Sequence, residues 1–174
     1  MMNTNTAYEI LRTRRSIRSY QASPAITDEE VRALLVAGMN APTARNRQPW
    51  CFVVIDDRAQ LDAFADFHPY AKMVHQAPLG IVVCIDTQKE LAPGYGVADC
   101  SNASTNILNA AHALGLGSLW IGIYPREERM KWLSEQLGLP AHIVPLSFLA
   151  IGHTDVVAPE PRPYAEEKVH RNRW

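Results

Sequence analysis

Arg12, Arg14, Arg15 and Arg18 crowd a short stretch of the chain, with Ser16 among them. Guanidinium groups set this close repel one another. A bound anion would resolve the repulsion, because the arginine fork matches the oxygens of a phosphate and a serine hydroxyl adds a donor. Taken alone, such a run favours a solvated basic face over an anion site.

A second polar stretch, Ala41-Pro-Thr-Ala-Arg-Asn-Arg-Gln-Pro-Trp50, is restricted near each end by Pro42 and Pro49. Asn46 and Gln48 each offer donors and acceptors, a set that suits the edge of a planar heterocycle such as the pyrimidine ring of a flavin. By itself this stretch reads as an ordinary capping loop.

Other chemistries find less support. The histidines at 68, 75, 112, 142, 153 and 170 lack metal-ligand spacing, so no metal site is expected. Cys51, Cys84 and Cys100 form no CxxC pair and read as free thiols. Gly94-Tyr-Gly96 begins a dinucleotide-type pattern, but Asp99 stands where the third glycine belongs. Neither a GxSxG elbow nor a P-loop occurs. A formal net charge of −1 provides no global field toward nucleic acid. The longest apolar runs fall short of the roughly 20 residues of a membrane helix. The N-terminus lacks the basic and apolar regions of a secretory signal. The expected setting is the cytoplasm, with neither nucleic acid nor membrane as partner.

These segments need a frame, and 174 residues with 47% apolar content suffice for one domain spanning residues 1–174. The pattern predicts helices over 6–12, from Thr27 through Gly38, after Asp57, over 97–114, and from Pro125 to Leu137. Strands are expected over 51–56, 79–86, 117–123 and 143–151. Thr27-Asp-Glu-Glu30 is a capping box. The run at 79–86 is apolar on both faces and belongs in the centre of a sheet. Strands alternating with helices imply α/β layering. The small residues of the 97–114 helix suit close approach by another helix, as at an interface. Prolines at 159, 161 and 163 mark residues 152–174 as an extended arm, packed on something such as a partner subunit.

In this order, Arg-Arg-Ser-Ile-Arg-Ser-Tyr at 14–20, the Thr-Asp-Glu-Glu helix start and the 41–54 segment resemble the N-terminal signature of the nitroreductase family. Ala77-Pro78, Asp99, Asn106, the 113–122 segment and the closing Val-His-Arg-Asn-Arg-Trp fit as well. The resemblance implies a three-layer α+β fold with a central mixed, mostly antiparallel sheet, and a homodimer exchanging C-terminal arms. It implies FMN at the subunit interface, its phosphate held by Arg14, Arg15 and Ser16, with Arg162 as the C-terminal basic residue reaching it. Arg18 would lie near the N1 and C2 carbonyl side of the ring. Pro42, Thr43, Asn46 and Gln48 would lie along the ring and ribityl chain, some facing the flavin of the opposite subunit. Ile121, Gly122 and Ile123 would pass the N5 edge. The implied activity is ping-pong hydride transfer from NADH or NADPH through N5 to a small-molecule acceptor: a nitroaromatic, a quinone or a similar conjugated compound. No side chain is expected to be catalytic. The alternative is a flavin-binding sensor or store without turnover.

Overall fold

The apolar run Leu79–Asp86 forms a strand whose every residue is buried, as a central position requires. In the computed structural model, which describes residues 6–21 and 23–174, this strand is β2. It lies between β1 (Trp50–Ile55) and β4 (Ile143–Gly152), and β3 (Gly117–Gly122) completes the order β1-β2-β4-β3. Every pairing is antiparallel. The expected mixed sheet is therefore antiparallel throughout among the described residues. Each connection between sheet neighbours here reverses the chain, although helices intervene.

Five helices flank the sheet: α1 (Thr6–Thr13), α2 (Asp28–Met39), α3 (Arg58–Phe67), α4 (Tyr95–Ala113) and α5 (Glu127–Leu137). Side chains alternate across the strands, which divides the core in two. Leu79, Ile81, Val83 and Ile85 pack with Leu34 of α2 and Cys100, Ala103 and Ile107 of α4. On the other face, Val82, Leu119, Ile121 and Phe148 pack with Leu61 and Phe64 of α3 and Leu133 of α5. The result is three layers. Phe64 and Phe148 stack with ring centroids 3.9 Å apart, and a side chain at Gly80 would collide with the Phe148 ring.

Local signals account for the helix ends. Thr27 and Glu30 make both bonds of the capping box that opens α2. Asp57 accepts from the Gln60 amide at the start of α3, and Gly138 closes α5 in the left-handed conformation. Two boundaries differ from the sequence reading. Helix α4 begins at Tyr95, because Gly94 at φ 96° makes the turn and Glu90 accepts from the amides of Gly94 and Gly96. Those amides are thereby committed to a carboxylate of the chain itself. Helix α5 begins at Glu127 with Arg126 as its N-cap, so Pro125 lies outside the helix.

The small residues of α4 are used largely within the chain, where α2 approaches so closely that an added Cβ at Gly38 would stand 3.0 Å from Ile107. At the end of β3, a register shift between Val83 and Cys84 leaves Leu146 extra in β4. The Leu146 carbonyl accepts from both Ile123 and Tyr124, turning the chain out of the sheet immediately after Gly122. After β4, Gln21 donates to the His153 carbonyl and Thr154 to that of Ser19. Beyond them the tail has one short 3-10 turn, Glu166–Lys168, and leaves Tyr164 and Trp174 exposed.

Candidate functional site

Strand β3 is an edge strand, so alternate residues turn their backbone groups away from β4. The Ile17 amide donates to the Ser118 carbonyl at 2.9 Å, which identifies Ser118, Trp120 and Gly122 as the outward-facing set. The chain after α1 thus covers only the beginning of this edge. Past Ser118 the edge opens into a cavity of about 540 Å³ that Trp120, Ile121 and Gly122 help to line. Nothing stands within 4 Å of the point a Gly122 side chain would occupy, so a flat molecule can approach this backbone.

The cavity is cationic. Arg18, Lys72 and Arg129 line it, together with His68, Pro69, Tyr70, Met73 and Leu119, and no carboxylate does. Arg129 donates from Nη1 to the Gly122 carbonyl at 2.8 Å. His68 is 2% exposed. Its Nδ1 accepts from the Tyr70 amide, which leaves the proton on Nε2, 3.4 Å from the same Gly122 carbonyl. Burial, and then the Arg129 charge, hold His68 below its usual pKa, in keeping with a neutral ring.

The arginine cluster lies just beyond. Arg14 is half-buried, and burial followed by the charges of Arg15 and Arg162 pulls its pKa down. Three guanidinium groups from the two ends of the chain therefore share one region. Arg15 is partly spoken for, donating to the carbonyls of Arg12, Arg14 and Glu160. Ser16 is exposed. Beneath the cluster, Thr13 donates to the Glu9 carbonyl, and its oxygen lies 2.8 Å from Nε2 of His112. Burial, then Arg14 and Arg15, lowers the His112 pKa.

The 42–48 loop is built elsewhere. Asp99 of α4, 4% exposed, accepts from the Thr43 hydroxyl at 2.8 Å and from the Ala44 amide at 3.1 Å. Gln48 donates through its amide to the Thr43 oxygen and through its side chain to Asn46. Asn102 holds the Pro42 carbonyl. Arg45, Asn46 and Gln48 adopt φ of 49°, 55° and 49°. Three non-glycine residues in the left-handed region are costly, and such strain persists only where the surroundings fix it. Asn46 and Gln48 remain exposed.

Register shows how far apart these groups lie. Ser118 pairs with Ile151, which pairs with Leu79, whereas Trp50, next to the loop, pairs with Ile85. The two corners differ by six residues along the strands and by three strand spacings across the sheet, a diagonal of about 25 Å. The arginine cluster and the loop therefore occupy opposite corners of one chain. Arg18, Ile121 and Gly122 line the cavity, whereas Ile123 is buried and donates its amide to Leu146.

Lys72, His68 and Arg129 escaped the sequence reading. Each comes from a separate element, and only the order β1-β2-β4-β3 brings them to one edge. Among the described residues, no group of three or more His, Cys, Asp or Glu is placed to hold a metal ion. Nor is any helix among them long and apolar enough to cross a membrane.

Comparison with known proteins agrees with this arrangement. The model of the nitroreductase family matches residues 11–69 and 68–153. A protein of Archaeoglobus fulgidus, provisionally named an NADH dehydrogenase/NAD(P)H nitroreductase, is 42% identical over 95% of this chain and 97% of its own. A crystal structure from Parabacteroides distasonis under the same provisional name superposes with a TM-score of 0.93 at 36% identity, covering 98% of this chain and all of that one. A provisionally named nitroreductase from Desulfovibrio desulfuricans, solved in complex with FMN, gives a TM-score of 0.86 at 31% identity over 99% of both chains. With these matches spanning nearly its whole length, the chain belongs to the nitroreductase family.

Proposed function

We propose that this chain is an FMN-dependent NAD(P)H oxidoreductase working as a homodimer. One copy supplies the arginine cluster and the β3-edge cavity of each site, and the other supplies the 42–48 loop. The observation that carries the reading is the cavity: three cations, no carboxylate, and an open backbone edge at Gly122. Among the described residues, Arg18 and Lys72 make no ion pair or side-chain hydrogen bond, so their charges are available to a ligand. The Desulfovibrio relative, similar over 99% of both chains, holds FMN.

When bound, FMN would supply the redox chemistry, taking a hydride at N5 from NADH or NADPH and passing it to a nitroaromatic, quinone or similar conjugated acceptor. The protein's own groups bind and orient. Arg14, Ser16 and Arg162 would hold the phosphate, with Arg15 bracing the backbone around it. Arg18 and Lys72 would stabilise negative charge on the N1 and C2 carbonyl side of the ring, which favours reduction electrostatically. The outward amide of Gly122 would face N5, with Ile121 beside it. Ile123 holds the strand end against Leu146. No side chain is assigned as nucleophile or general acid.

Distance supports the dimer. Pro42, Thr43, Asn46 and Gln48 sit diagonally across the sheet from the arginine cluster, so in one copy they cannot share its ligand. A second copy would bring them in, and its contact would cover Tyr8 and Leu11 of α1 and Val36 and Met39 of α2, all exposed here. In the same reading residues 1–174 form one domain, with 152–174 as an arm reaching the partner. The unpaired Cys84 and Cys100, both buried, suit a reducing compartment, the cytoplasm.

Two experiments test this reading. The purified protein should show a flavin spectrum that NADH or NADPH bleaches anaerobically. A bound flavin that neither bleaches would leave binding without turnover, and absence of flavin binding would end the proposal. Mixing a variant broken in the cluster (Arg14→Ala) with one broken in the loop (Asn46→Ala, Gln48→Ala) tests the shared site. At equal amounts, random exchange makes half the dimers mixed, each with one intact site of two, so about a quarter of full binding should return. No return, in a mixture shown by mass spectrometry to have exchanged, would refute sharing.

A further inference from the structure

The carbonyl of Gly122 receives two donors, and neither is a sheet partner. Arg129 reaches it from the first turns of α5 at 2.8 Å, and His68 from the end of α3 at 3.4 Å. The grip falls on the last residue of β3, where the chain leaves the sheet. Gly122 has no side chain to pack, and the space beside its Cα is empty. Its outward edge has no neighbouring strand. The next two amides both bend away to Leu146. Although Gly122 pairs with Ser147 of β4, a glycine has the widest range of backbone torsions, so donors on its carbonyl have more to restrain here than at a residue with a side chain.

We infer that Arg129 is a positioning residue: by holding the Gly122 carbonyl it fixes the glycine's backbone, so that the outward Gly122 amide points into the cavity at a set angle. The inference rests on the flavin reading of that cavity, because it gives the amide its task as a donor to the ring. His68 acts as a secondary stop. Its tautomer is fixed by the Tyr70 amide, so it can only donate toward the carbonyl, and at 3.4 Å that contact is too long to hold the peptide unaided. The charged Arg129 bond is the stronger of the two. A methionine at 129 would keep the apolar stem and remove the donor. A lysine would keep one donor and the charge but lose the planar fork.

The test measures FMN dissociation constants by fluorescence quenching, the visible band shape of bound flavin, and the Gly122 amide resonance of protein without FMN. Arg129→Met should bind FMN about tenfold more weakly. Its bound-flavin spectrum should shift, and the Gly122 amide resonance should broaden. Arg129→Lys should bind about threefold more weakly, an intermediate loss. Arg126→Ala removes an exposed charge at the start of the same helix and should match the parent in all three readouts. The line width of the amide resonance separates positioning from a general loss of charge, because losing a charge shifts a resonance without broadening it, whereas a peptide released from its hold exchanges among conformers. Parent-like affinity, spectrum and line width in Arg129→Met overturn the inference. If circular dichroism shows that variant unfolded, the same parent-like result in Arg129→Lys overturns it. If the parent itself binds no FMN, it is the flavin reading that has failed, and the resonance still decides whether Arg129 fixes the glycine.

Discussion

Replacing Gly122 with valine should push folding and ligand binding in opposite directions. Apart from Gly122 and its chain neighbours, no atom of the described residues lies within 4 Å of the added Cβ, and the glycine's φ is outside the left-handed region, so the Cβ meets neither steric nor backbone resistance. Removing a glycine from a strand lowers the entropy of the unfolded chain, a gain of about 0.5–1 kcal/mol. For a chain of this size the melting temperature should rise by about 1–4 °C. The same side chain stands in the cavity where a flat ring must approach the Gly122 amide. Forcing a ligand against atoms that cannot withdraw costs about 1–3 kcal/mol, or about 5- to 150-fold in affinity. Differential scanning fluorimetry and FMN titration of the same preparation measure both effects. A melting temperature lower by several degrees would show that the space is not free. Unchanged FMN affinity in a stable variant would show that the ring does not lie over Gly122, and with it the reading of the β3 edge would fail.

Three further outcomes follow from the geometry. Arg14→Met removes a half-buried cation from beside Arg15 and Arg162; the melting temperature should hold or rise while FMN affinity falls about ten- to a hundredfold, as thermal shifts with and without FMN would show. Asp99→Asn leaves one acceptor oxygen where two now serve Thr43 and Ala44; urea unfolding should show a loss of about 1–3 kcal/mol, and an unchanged midpoint would refute the anchoring role. His75, held between Asp62 and Asp66, has its pKa raised chiefly by the hydrogen bond it donates to Asp62, whereas burial lowers that of His68. Stability from His75 is therefore complete below the usual histidine value of about 6.5 and is lost as pH rises through its folded pKa; that from His68 is present above about 6.5 and is lost as pH falls through its lowered one. NMR titration should place the two on opposite sides of the usual value, and Asp62→Asn should bring His75 down.

The sequence was readable where a signal is local. Thr27 and Glu30 announce a helix start because both partners of the capping box lie within one turn. The apolar run at 79–86 announces a central strand because no surface strand could hide both faces. The arginine run was legible as chemistry but ambiguous in purpose, and Arg162, which the fold brings near Arg14, comes from the far end of the chain. What stayed hidden was set by strand order and by small irregularities. Lys72 lies in a short 3-10 turn and Arg129 on an otherwise ordinary helix, and nothing near either residue signals a cavity. Pro125 looked like a helix start, yet Arg126 takes the N-cap position. The left-handed torsions at Arg45 and Gln48, residue types that usually avoid them, could not be read from the sequence, because Asp99 imposes part of that geometry from a distant helix.

The edge strand joins these observations. An uncovered edge offers unpaired amides and carbonyls to any passing strand, and proteins usually block it with charge, a bulge or a covering segment. β3 shows all three. The chain at Ile17 covers Ser118, Leu146 bulges at the far end, and Arg18, Lys72 and Arg129 place like charge around what remains. Blocking is incomplete at Trp120 and Gly122, where the backbone stays open and a glycine keeps the approach flat. A second strand would have to bring its chain past three cations, one of which, Arg129, is already seated on the Gly122 carbonyl. A planar molecule bearing acceptor atoms needs only the amide. The features that deter strand pairing at this edge are therefore those that favour a flat, electron-accepting ligand.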